Sequence, residues 1–158
     1  MTLTGRLDPR SGWRAAQCPI ARALDVVHNR SAFLILREAF YGTTRFDDFG
    51  ARVGISESVA AARLKDLVAA GLLEQQPYRD PGERTRQEYR LTEMGADFLP
   101  VLAAMMQWGE RWLGPARVRM QHHDCGGDVR AEVRCASGHE LTPGDIDLVL
   151  DTPDSARS

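Results

Sequence analysis

The sequence predicts a mostly α chain that carries one small β-ribbon, and three observations point there. Four segments between Cys18 and Gly71 repeat their apolar residues at helical spacing. The period then switches to two on either side of RDPGERT, residues 79–85, whose Pro81 and Gly82 form turns. Helical spacing returns between Phe98 and Trp112.

Taken in order, Pro19 suits the first position of a helix capped by Cys18, with Ile20, Ala23, Leu24 and Val27 facing inward. Ser31 is placed to cap a second helix, FLILREAFYG, which is apolar almost all round and so belongs at the centre. Thr44 is placed to cap a third, with Phe46, Phe49 and Val53 on one face. Ser56 starts the fourth and Gly71 stops it. Only Gly54 and Ile55 separate the third helix from the fourth, the spacing of a helix-turn-helix, and that corner needs a positive φ at Gly54.

LLEQQPY and RQEYRL then pair as a ribbon with a basic tip. Thr92 caps a long final helix in which Phe98, Leu102, Met105, Gly109 and Trp112 recur at 4-3-4-3 spacing, widened by Leu99, Val101 and Trp108. That stripe exceeds what one small domain covers, which predicts a dimerisation helix, and Pro100 predicts a kink in it. Beyond it Val118 and Met120, then Val129, Ala131, Val133 and Cys135, alternate at period two around a CGGD turn, residues 125–128. The expected organisation is an N-terminal arm over 1–17, a winged helix-turn-helix with dimerisation helices over 18–116, a small β-appendage over 117–150 and a disordered tail over 151–158.

Composition narrows the function. No run of about 18 apolar residues occurs, and the first residues lack the apolar block of an export signal, which predicts a cytoplasmic chain with no membrane partner. Three cysteines at irregular spacing read as thiols rather than a disulfide framework. Residues 1–119 hold 17 Arg or Lys against 14 Asp or Glu, whereas residues 120–158 hold 3 against 8. The basic half is therefore the half with the helix-turn-helix. No glycine-rich phosphate loop, nucleophile elbow or paired-carboxylate pattern is present, so an enzyme is not expected.

Helix, tight turn, helix and arginine-tipped ribbon together form the order of a winged helix-turn-helix. The fourth helix is slim enough for a major groove about 12 Å wide, and the ribbon carries cations to phosphates. The expected DNA-binding set is Ser56, Ser58, Ala61, Ala62, Arg63 and Lys65 on the helix with Arg79, Arg84 and Arg86 on the ribbon. Ser58 can bond a base edge, Ala61 and Ala62 can meet thymine methyls, Lys65 can reach phosphate or guanine, and Arg63 is suited to a backbone phosphate.

CPI at 18–20, LILREAFYGTTRFDDF at 34–49, GIS at 54–56, RLKDLVAAGLLE at 63–74 and EYRLTEMGADFLPVL at 88–102 with Trp108 resemble the HxlR-type winged-helix transcriptional regulators. The resemblance runs unbroken over about residues 18–113 and implies a homodimer that sets its two recognition helices in successive major grooves of double-stranded DNA. The chain departs from the pattern at Asn29, Arg30 and Ser31, where relatives have a Trp after Gly-Lys, and at Ser58, where they often have a basic residue. This points to sparse direct base readout.

Cys18, at a helix N-terminus, is the candidate for sensing a thiol-reactive signal, as the resemblance also implies; a small apolar effector between protomers is the other candidate input. His122, His123, Cys125, Cys135 and His139 are acceptable zinc ligands. A strand over 129–135 would span about 20 Å at about 3.3 Å per residue and hold Cys125 and Cys135 apart. No metal or cofactor is therefore assigned. The rival function is a winged helix that docks proteins without binding specific DNA.

Overall fold

A computed structural model describes residues 18–148. The expected arm over 1–17 and tail over 151–158 lie outside the described residues. Among the described residues, six α-helices and two strands follow in the order α1 Pro19–Val26, α2 Arg30–Phe40, α3 Phe46–Val53, α4 Glu57–Ala69, β1 Leu73–Tyr78, β2 Arg86–Leu91, α5 Glu93–Ala96 and α6 Leu99–Leu113. A 3₁₀ turn, Pro143–Asp145, comes later among the described residues.

Helix α2 is central, as its apolar character predicts: Ala32, Ile35 and Leu36 join Val27, Phe49, Val53, Leu64, Leu67, Leu72 and Leu73 in one core. Its cap is Asn29 rather than Ser31, with Asn29 Oδ1 accepting from the Ala32 amide at 2.9 Å. Asn29 has extended backbone (φ −149°), the conformation a capping side chain needs, and Ser31 is already inside the first turn. Likewise α3 starts after Arg45, without a side-chain cap: Thr44 falls one residue before the cap position, with its side chain bonded to Glu88 and its carbonyl accepting from the Tyr89 amide at 2.8 Å.

The turn between α3 and α4 forms as expected. Gly54 ends α3 in the left-handed region (φ 73°), and the amides of Gly54 and Ile55 both return to the Gly50 carbonyl. Ser56 caps α4, accepting from the Val59 amide. Gly71 (φ 78°) closes it, with Leu72 N–H bonded to the Leu67 carbonyl and Gly71 N–H to that of Val68. The ribbon pairs antiparallel from Leu73↔Leu91 to Tyr78↔Arg86.

Three expectations change. The final helix is broken rather than kinked: Thr92 caps only the short α5, and α6 restarts at Leu99 with Pro100 in its first turn. Proline lacks the N–H an interior position needs but suits a helix start. Second, α1 buries none of its residues, and Ile20 and Leu24, expected inward, are 70% and 60% exposed. Third, the alternating residues after 117 form no strand; they make two small hairpin turns closed by the isolated bridges Gln121↔Asp128 and Arg134↔Glu140. With most of that segment exposed, no neighbouring strand is there to extend the pairing.

Helix α5 reaches the ribbon through Gly95. A methyl group there would overlap the Leu72 carbonyl and crowd the Leu91 side chain, so this close approach admits only glycine. Gly95→Ala should cost about 1–3 kcal/mol, the usual penalty for overpacking against backbone, seen as a lower urea midpoint at unchanged slope.

Candidate nucleic-acid interface

Helix α4 buries Ala60, Leu64 and Leu67 and turns the opposite side to solvent. On that side Ser58, Ala61 and Lys65 are exposed and Ala62 is half-buried, small side chains with one cation, and Glu57, Val59 and Asp66 are exposed beside them. Ser56 and Ser58 lie hydroxyl to hydroxyl at 3.1 Å at the start of the helix. Ser56 is held by its capping role, whereas Ser58 is free to exchange that partner for another polar group.

Arg63 stands apart from this surface. Its Nη1 donates to Asp66 Oδ2 at 2.7 Å and lies 2.8 Å from His28 Nε2, which ties α4 to the loop between α1 and α2. A phosphate contact from Arg63 therefore has to compete with a carboxylate already in place.

The register Tyr78↔Arg86 brings Arg79, Arg84 and Arg86 to one end of the ribbon. They are not equivalent. Arg79 folds back, donating from Nε to the Glu83 carbonyl at 2.8 Å, and so shapes the tip. Arg86 lies 3.8 Å from Glu83, a loose exposed pair worth little in water. Arg84 is exposed and makes no ion pair among the described residues.

Arg45 lies outside the sequence-predicted set yet holds the interface together. It sits at the start of α3, stacks over the Tyr78 ring at 3.1 Å, approaches Asp80 at 3.5 Å and bridges to Glu88. It anchors the ribbon beside the helix-turn-helix. Its only sequence signal was a cation directly before the third helix. Glu88, buried in the same corner, is held below the ordinary carboxylate range by its hydrogen bond from Arg90, opposed by burial and aided by Thr44 and Arg45. No helix among the described residues is long and apolar enough to cross a membrane.

The family model described as HxlR-like helix-turn-helix matches residues 26–117, which span α2 through α6. The chain belongs to the HxlR-like helix-turn-helix family. Among relatives of this HxlR-like regulator, the uncharacterized HTH-type transcriptional regulator Rv3095 of Mycobacterium tuberculosis (strain ATCC 25618 / H37Rv) is 38% identical over 132 residues. The match covers 80% of this chain and 82% of that one. The crystal structure of PA1607 superposes with a TM-score of 0.78 at 37% identity, covering 86% of this chain and 96% of that one. The redox regulator HypR in its reduced form superposes at 0.54 with 25% identity, covering 61% of this chain and 96% of HypR. These relatives make the chain a transcriptional regulator of the helix-turn-helix class rather than an enzyme, and α4 is the second helix of that helix-turn-helix.

The depressed Glu88 carboxyl adds stability that is present above its unfolded-state pKa and is lost as pH falls through its folded-state value. Glu88→Gln should therefore flatten the acid side of the stability profile while leaving its shape above neutral pH unchanged, as read from denaturant melts across pH.

Proposed function

We propose that this regulator works as a homodimer that binds double-stranded DNA sequence-specifically, with α4 of each copy in a major groove and the ribbon against the flanking backbone. The observation that carries this reading is the pairing, on one chain, of a small-residue outer face on α4 with arginines gathered at the ribbon's end. The small side chains allow close approach to base pairs, and the arginines supply charge for phosphates.

In this reading Ser58 contacts a base edge, Ala61 and Ala62 meet thymine methyls, and Lys65 reaches phosphate or guanine. Ser56 presents the helix N-terminus to the backbone. Arg84 and Arg86 take phosphates or the minor groove, Arg79 sets the tip that holds them, and Arg63 reaches phosphate by leaving Asp66. The unit that performs this work is residues 18–116, in the cytoplasm, with 117–150 as an appendage.

The second copy is argued from uncovered apolar surface. On α6, Leu99, Val101, Met105, Trp108 and Trp112 are exposed, Trp112 to 64%, and Ile20 and Leu24 of α1 add to them. Isolated exposed apolar residues are ordinary, but a run of this kind on two helices marks an interface. A two-fold pair clasped there sets its recognition helices about 34 Å apart, one turn of duplex.

A thiol-reactive signal is the proposed input. Cys18 is half-buried at the start of α1, beside this uncovered surface, without a cap hydrogen bond to occupy its sulfur. The likeness to HypR, named a redox regulator, supports the assignment. A small apolar effector seated between protomers is the alternative input, tested by whether Cys18→Ser abolishes the response.

Selection of bound fragments from random DNA should yield an inverted repeat, with affinity falling steeply as salt rises. Arg84→Ala should weaken all fragments alike and lower the salt slope by about one, whereas Ser58→Ala should change the order of preference among fragments. A chain that ignores every fragment at about 50 mM salt yet retains a protein partner would favour the docking-module reading. Met105→Glu should convert the dimer to monomer in sedimentation velocity, because it places a charge in the proposed apolar interface.

A further inference from the structure

Residues 118–148 lie beyond the stretch matched by the family model and bury no side chain fully, leaving Val118, Val129, Val133, Ile146 and Leu148 exposed. A segment of roughly 30 residues without a core ordinarily needs a disulfide, a metal or a partner to hold its shape. Yet its two hairpins are specified closely.

In the first, the Val129 amide donates to the Met120 carbonyl, His122 N–H to Gly127 and Gly126 N–H back to His122, with Gly126 at φ 68°. In the second, Leu141 N–H donates to Val133, Cys135 N–H to His139 and Gly138 N–H to Cys135, with Gly138 at φ 84°. Each tip thereby holds one imidazole against one thiol. His122 Nδ1 lies 3.3 Å from Cys125 Sγ, and His139 Nδ1 lies 3.4 Å from Cys135 Sγ.

A tetrahedral zinc ion with Zn–S near 2.3 Å and Zn–N near 2.0–2.1 Å sets such a nitrogen and sulfur about 3.6 Å apart. Both tips thus present the bite of a zinc chelate, built from the same two atom types in a His-x2-Cys-x9-Cys-x3-His order. The sequence-based objection to zinc rested on a strand over 129–135. No such strand forms, and each cysteine instead sits in a turn.

We propose that one zinc ion per chain closes the two hairpins on each other, held by His122 Nδ1, Cys125 Sγ, Cys135 Sγ and His139 Nδ1. In the structure the pairs stand separately; the one trio of ligand-bearing side chains within 4.8 Å among the described residues is His122, His123 and Asp124. Residues 126–130 and 132–134, which join the two pairs, are exposed. The fixed point between them is Ala131, whose amide donates to Gln107 Oε1 of α6 at 2.8 Å, so the hairpins hinge about a tether. Binding releases one proton from each thiol to solvent and leaves a closed four-ligand site, which is structural in character. The ion would fix the appendage against Gln107 and Trp108 on α6.

The test uses the full chain without a histidine tag, equilibrated with zinc, passed over a desalting column and assayed for metal by mass spectrometry. The expected content is one zinc per chain. Cobalt in its place should give visible bands of tetrahedral intensity together with a near-ultraviolet thiolate charge-transfer band. Cys125→Ser, Cys135→Ser and His139→Ala should each weaken binding by more than the about 10–100-fold lost with an outer-shell partner, while Cys18→Ser and His123→Ala leave it unchanged. Helical circular dichroism confirms that each variant is folded. A wild-type chain that takes up no zinc, a cobalt spectrum without the thiolate band, or a metal lost with His123 but kept without the cysteines would overturn the proposal.

Discussion

The architecture turns on the hydroxyl of Thr92. It donates to the Gly71 carbonyl at 2.5 Å and accepts from the Gly95 amide at 3.0 Å, while the Thr92 amide bonds the Leu72 carbonyl. Gly95, having no side chain, lies directly on that same carbonyl. One corner therefore fixes where α4 stops, where the ribbon closes and where the path to α6 begins. The angle at which α4 meets the ribbon is set at this corner. These hydrogen bonds tie the end of α4 directly to the start of the ribbon and to α5.

Much of the fold was legible because its punctuation is local. As caps and helix stops, Gly54, Ser56, Gly71 and Thr92 act within three to five residues of themselves, so sequence spacing identifies those roles, though not the bonds from Thr92 back to Gly71 and Leu72. The cap of α2 was harder, since Asn29 and Ser31 are both competent and the backbone angle decides between them. The inward face assigned to α1 failed for a different reason. Periodicity reports that Ile20 and Leu24 share a face, but not whether the cover comes from the same chain. The alternation after residue 117 was misleading because period two describes a pleat only when a neighbouring strand is there to pair with it.

The proposed interface divides in the same way. The outward character of Ser58, Ala61 and Lys65 follows from helical geometry once Leu64 and Leu67 are buried, so it could be read in advance. Arg63 could not, because its partner His28 is 35 residues earlier and meets it only through the packing of α2 against α4. Arg45 was overlooked for the same reason: its role depends on Tyr78, Asp80 and Glu88, all brought near by the ribbon's return. Cations that hold the scaffold and cations that face solvent look alike in a sequence. Only their partners separate Arg45 and Arg79 from Arg84.

The sparse surface of α4 has an evolutionary reach. Ala61 and Ser58 touch little of the core, so residues there can be exchanged without disturbing the packing beneath. Change at these two positions can therefore accumulate with folding inherited intact, whatever the outer side of α4 contacts.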